Sequence, residues 1–163
     1  MTFTLFILFI ILLRIAELLL ARKNEQWLLQ NGAIEYGQKH YPFIVALHIL
    51  FIISLIVEYS IVGVIAYNLP LLILFLALLA LKAWVIFSLG KFWNTKIYRI
   101  AHFPLVKKGP YKYIKHPNYI IVIAEIAIIP LIFHLYYTTI IFTLLNGLML
   151  ALRIREENKA LNL

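Results

Sequence analysis

The sequence predicts an all-α, polytopic membrane protein with about five transmembrane helices. Three observations carry that expectation. The 163-residue chain is 64% hydrophobic, with a mean hydropathy of +0.93, whereas soluble domains are about 45–50% apolar. Its apolar residues fall into runs close to the roughly 20 that a helix needs to cross a hydrocarbon core. Its basic residues gather in alternate loops, as they do in membrane proteins with a fixed orientation. A soluble helical bundle of this length could not hide so much apolar surface.

The elements follow in order. Residues 2–20 form the first expected span, interrupted by Arg14 and Glu17. No basic leader or small-residue cleavage site precedes it, so it is read as a retained span rather than a signal peptide. Residues 43–66 and 69–92 are the second and third spans, with Asn68 and Pro70 marking the turn between them. A polar segment, 94–116, comes next. Residues 117–152 are again apolar, broken by Pro130 and by "HLYY" at 134–137. That stretch has room for two short spans meeting at the break, or for a re-entrant hairpin. The whole chain, 1–163, is expected to be one domain, without internal repeats.

The net charge is +8 and the pI about 9.7. Arg22, Lys23 and Lys39 follow the first span, seven Lys and Arg residues from Lys91 to Lys115 follow the third, and Arg153, Arg155 and Lys159 follow the last. The loops near Tyr67 and His134 carry none. This alternation puts the N-terminus outside and the C-terminus in the cytoplasm. It also accounts for the basic balance without nucleic acid, since no basic face interleaved with aromatics stands free of the apolar runs. Cysteine and aspartate are absent, and no His and Glu set has a metal-ligand spacing, so no metal is expected. No Gly-rich phosphate loop or dinucleotide fingerprint occurs, so no Rossmann fold is expected.

Ionisable groups inside spans are costly and need an explanation. Arg14 and Glu17, three apart, share a helix face and can pair. Glu58 lies near the outer end of the second span, within reach of water. Lys82 has a stem long enough to snorkel. Glu125 sits two turns into the fourth span, on the face of Asn118, and must look into the bundle or a wet cavity. There it either orients a polar ligand or holds the bundle together. His48 and His134 are expected to be satisfied by neighbours.

The densest polar motif is "GPYKYIKHPNY", residues 109–119. Gly109-Pro110 signals a turn. Pro117 suits the first position of a helix, where its missing N–H costs nothing. His116 then stands at a helix mouth, beside free N–H groups that favour an anionic group. Beyond the last span the chain reads "RIREENKAL", and Arg153 and Glu157, four apart, share a face at the same depth.

In this ordered set the chain resembles the isoprenylcysteine carboxyl methyltransferase family of integral-membrane enzymes. The likeness covers "PLVKKGPYKYIKHPNY", a membrane hairpin, and Arg153-x-x-x-Glu157. The N-terminal part, "RIAELLLARKNEQWLLQNGAIEYGQKHYPFIVALH", is similar to a short bacterial branch that includes enzymes O-methylating long-chain alkylpyrones. The resemblance implies S-adenosylmethionine as cofactor, leaving S-adenosylhomocysteine, bound mainly by residues 94–163. Leu105, Val106, Tyr111, His116, Pro117, Asn118 and Tyr119 would line its pocket. Glu157 would hold its amino group, although a one-residue shift of the motif would exchange the roles of Glu156 and Glu157. Arg153 would meet the reacting oxygens of a lipophilic substrate; Glu125, by its place in the fourth span rather than by the resemblance, is a further candidate substrate contact. The reaction implied is methyl transfer to a carboxylate or acidic enol of a lipophilic substrate, such as a prenylated cysteine or a long-chain alkylpyrone, at the cytoplasmic face. Two other readings stay open: a phospholipid N-methyltransferase, and a non-enzymatic scaffold or transporter subunit whose Arg14, Glu58 and Glu125 line a path.

Overall fold

Five α-helices make up most of the structure, a computed structural model that describes residues 2–63 and 66–161. They are α1 (Phe3–Gln30), α2 (Tyr41–Val62), α3 (Leu69–Leu89), α4 (Pro117–Leu131) and α5 (Tyr136–Leu161). Two three-residue strands, β1 (Ile34–Tyr36) and β2 (Ile97–Arg99), pair antiparallel with Glu35 opposite Tyr98. Among the described residues there is no Rossmann fold, and four helices are long and apolar enough to cross a bilayer, α4 being the short one. Large apolar side chains such as Phe87 and Ile61 are about four-fifths exposed, which suits a surface covered by lipid. Residues 64 and 65, the expected end of the second span, and 162–163, the end of the expected domain, lie outside the described residues.

Local chemistry sets the helix ends. Asn68 caps α3 by accepting the Leu71 N–H at 3.1 Å, and Pro70 occupies its first turn. Gly63 ends α2 with φ +63°, a conformation that costs glycine nothing. α1 runs ten residues past its expected end at Leu20. The sequence "ARKNEQWLLQ" contains no Gly or Pro and is rich in good helix formers, and the added turns bury Ala21, Asn24 and Leu28. The 117–152 stretch forms two helices that meet at the expected break, but only the first is short. α4 has 15 residues and α5 has 26, because the charged tail continues α5 to Leu161 rather than ending it.

The core lies at the end of the bundle away from the polar loops. Phe3, Phe6, Phe51, Phe75, Leu55, Ile129, Phe133 and Leu135 are buried there together. Phe3 stacks on Tyr59 at 3.7 Å between ring centres. At this end the Asn68 N–H donates to the Ile132 carbonyl at 2.7 Å. The start of α3 and the end of α4 are therefore level.

Two charged residues behave differently from expectation. Glu58 does not reach water. It is 8% exposed and accepts the N–H groups of Tyr137 at 3.0 Å and Thr138 at 2.7 Å. It thus satisfies two orphan donors of α5. Lys82 does not snorkel; it is 4% exposed, and its Nζ bonds Glu17 Oε1 at 2.5 Å and Glu125 Oε2 at 2.9 Å. Arg14 completes a four-charge network, reaching Glu17 at 2.8 Å and Glu125 at 3.1 Å. Two cations and two carboxylates balance, which is how buried charges are tolerated. The expected Arg14–Glu17 pair is thus half of a larger junction joining α1, α3 and α4. His48 Nδ1 and His134 Nδ1 meet the Ile44 carbonyl at 2.8 Å and the Tyr136 hydroxyl at 3.3 Å.

Candidate functional site

The site forms where the mouth of α4, the last turns of α5 and the 93–95 turn converge. Pro117 starts α4, with His116 as the residue before the helix. One turn along, Tyr119 looks across to α5. Its hydroxyl donates to Glu157 Oε2 and accepts from Arg153 Nε at 2.8 Å. The Arg153 guanidinium lies 5.5 Å from the centre of the Tyr119 ring, and its second arm donates to the Thr95 carbonyl. His116 stacks on Tyr119 at 5.5 Å. Its Nε2 lies 2.9 Å from Asn158 Oδ1 and its Nδ1 is 3.5 Å from Glu157 Oε2. The hydrogen bond to Glu157 raises the His116 pKa above its ordinary 6.5, and partial burial works against the rise.

Two cavities meet at this cluster. The first, about 440 Å³, lies under the 104–116 segment. Leu105, Val106, Tyr111, His116, Asn118, Tyr119, Arg153 and Glu157 all line it, while Pro117 is buried at the start of the helix. Burial pushes the Tyr111 hydroxyl pKa upward, and the nearby Glu157 carboxylate adds to it. The second, about 430 Å³, opens between α1 and α2 and is walled mainly by aliphatic side chains such as Ile15, Val45, Ile49 and Ile52. Trp93, Asn94, Asn118, Tyr119 and Arg153 line both. The first chamber is the more polar of the two, the second is lipid-like, and Tyr119 and Arg153 stand in the wall between them.

The geometry separates the two adjacent acids. Glu157 joins the cluster, whereas Glu156 turns outward to Lys159 at 2.9 Å. Glu125 lines neither cavity; its carboxylate is occupied by Lys82 and Arg14. Three contributors escaped sequence reasoning. Thr95 anchors Arg153 through its backbone, which no side-chain pattern reveals. Asn158 bonds His116 but reads as an ordinary tail residue. Trp93 is 3% exposed, and its buried indole N–H has no partner among the described residues; an aromatic directly after the third span was the available signal. Among the described residues no group of three His or Glu side chains could hold a metal.

A bundle of helices apolar enough to cross a bilayer, with two cavities that share a wall, has the build of an integral-membrane protein. The sequence profile of the isoprenylcysteine carboxyl methyltransferase (ICMT) family matches residues 71–163, more than half of the chain and all of the site except α1 and α2. The chain belongs to that family, and membership implies a membrane methyltransferase. It is 45% identical to the uncharacterized protein YpbQ of Bacillus subtilis (strain 168) over 98% of this chain and 96% of that protein. It is 28% identical to an uncharacterized protein of Haemophilus influenzae over 94% of this chain and 91% of that one. No solved structure matches.

Proposed function

We propose that the protein transfers a methyl group from S-adenosylmethionine to a carboxylate or acidic enol oxygen of a lipophilic substrate. The observation that carries this reading is the wall shared by the two cavities, with Arg153 and Tyr119 in it. The polar cavity suits the cofactor. Its volume lies within the usual range for small-molecule sites, roughly 300–1,000 Å³. A carboxylate, Glu157, is available to a cationic amino group, and the Tyr119 and Tyr111 rings offer flat faces to a base. When bound, the cofactor supplies an activated methyl on a sulfonium; S-adenosylhomocysteine remains.

Each residue then has a role. Arg153 orients the substrate anion with a planar fork that a lysine does not reproduce. Tyr119 fixes Arg153 and Glu157 relative to each other, and His116 holds Glu157 from the other side. An oxygen that arrives as an anion already has its lone pair free, so no strong general base is required. What the protein contributes is alignment and exclusion of water. The lipophilic part of the substrate lies in the α1–α2 groove and enters sideways from the bilayer. On this reading residues 94–163 are the cofactor-binding part of a single domain, and the basic loops on either side of the site support a cytoplasmic face for it.

Arg153→Lys and Glu157→Gln test these assignments in detergent-purified protein. Arg153→Lys is expected to cut methyl transfer to long-chain acids and alkylpyrones by at least about tenfold, with S-adenosylhomocysteine affinity largely retained. Glu157→Gln is expected to weaken S-adenosylhomocysteine binding, measured by calorimetry, by about tenfold or more, the loss of one charge-assisted hydrogen bond. Full activity and affinity in both variants would remove the roles.

A further inference from the structure

The lipid-side groove contains a polar feature that a plain hydrocarbon tail does not need. Alongside its aliphatic walls, Arg14, Glu17, Lys82 and His48 line it. The first three neutralise one another with Glu125. His48 is different. Its Nδ1 lies 2.8 Å from the Ile44 carbonyl oxygen. A carbonyl can only accept, so Nδ1 carries the proton and the neutral ring offers Nε2 as a bare acceptor. Nε2 has no hydrogen-bond partner among the described residues, and the ring lines the groove. Covering an unpaired acceptor with hydrocarbon is unfavourable.

Its position relative to the reaction centre can be read from α2. The Tyr41 hydroxyl meets Thr95 Oγ1 at 3.3 Å, and the Thr95 carbonyl holds Arg153. Tyr41 is thus level with Arg153. His48 lies seven residues later on the same face of α2, two turns or about 10 Å deeper into the bundle. We infer that His48 forms a second polar subsite, whose Nε2 accepts a hydrogen bond from a hydroxyl on the substrate about two helical turns from the oxygen that is methylated. The inference rests on the methyl-transfer reading for what happens at Arg153, and it adds a substrate class: lipophilic acids or enols carrying a second, donor-bearing oxygen along their length.

The experiment compares a long-chain fatty acid with its mid-chain hydroxylated counterpart in purified protein. Binding is followed by tryptophan fluorescence, since Trp93 lines the groove, and labelled methyl transfer is measured in parallel. Wild type is expected to favour the hydroxylated acid by about five- to tenfold in binding, the usual size of one hydrogen bond. His48→Phe should bring the ratio to about one. His48→Gln, whose side-chain oxygen can accept, should restore part of it. S-adenosylhomocysteine affinity reports whether each variant has kept its fold. Equal binding of both acids to wild type, or a preference that survives His48→Phe, overturns the subsite. A binding preference that depends on His48 without methylation of either acid supports the subsite and tells against the acid as methyl acceptor, so the two failures are distinguishable.

Discussion

At the scale of single residues, the His116–Glu157 contact gives the site a pH signature. The His116 pKa is raised above its ordinary 6.5, chiefly by its hydrogen bond with Glu157, while Lys115 opposes the rise. A histidine with a raised pKa in the folded state contributes stability that is complete below its unfolded value and is lost as pH rises through the folded one. The stability difference between wild type and His116→Gln should therefore be largest below about pH 6.5 and shrink as pH increases. Thermal melts of both proteins in one detergent across that range check it; a difference independent of pH would mean that the imidazole does not act through its charge. The residues of this cluster were partly legible in the sequence. Arg153 and Glu157 are four apart on a helix, so their shared face follows from the helical repeat. That Tyr119 would stand between them does not follow, because it depends on how α4 is set against α5.

At the scale of elements, the loop over the polar cavity is held by close approach to α3. Gly109 has φ +53°, and a Cβ placed on it would lie 2.1 Å from Ser88 Oγ and 3.1 Å from Trp84 Nε1. Both the conformation and the contact exclude a side chain. Gly109→Ala should push the 104–116 segment away from α3 and weaken S-adenosylhomocysteine binding by about tenfold or more, with an αL cost of roughly 1–2 kcal/mol added to the clash. Calorimetry decides; an unchanged affinity would show that the loop is not part of the pocket. Sequence reading located this turn from Gly-Pro alone, since a glycine before proline announces its geometry locally. It did not find β1 and β2. Three residues are too few to show an alternation, and the partners meet only because α1 runs on past Leu20. There Glu25 receives Lys96 at 2.7 Å and Tyr98 at 2.6 Å, tying the α1 extension to β2.

At the scale of the whole molecule, the Arg14–Glu17–Lys82–Glu125 junction ties three helices together at one depth. Removing one partner of a buried ion pair typically costs about 3–5 kcal/mol, because the remaining charge is stranded. Lys82→Met should lower the thermal stability sharply, since two carboxylates would then share Arg14. Lys82→Met combined with Glu125→Gln should recover much of the loss by restoring balance. If the double variant is no more stable than the single one, the network is not what holds these helices. The sequence marked all four residues as anomalous in lipid. It could not pair Lys82 with its acids, because the contact joins segments far apart in the chain, and composition alone made an escape to the surface the simpler outcome for a long side chain.

α4 has 15 residues against 21 in its neighbour α3, and their far ends are level. At 1.5 Å per residue, the start of α4 is therefore set back by about 9 Å. On the reading given above, this notch lets the water-borne reagent descend to the depth where acyl carbons already sit. The fatty partner need not be lifted out of its leaflet, a displacement that costs about 0.8 kcal/mol for every methylene exposed to water. A missing turn and a half of helix thus replaces what a soluble catalyst would need a carrier to do.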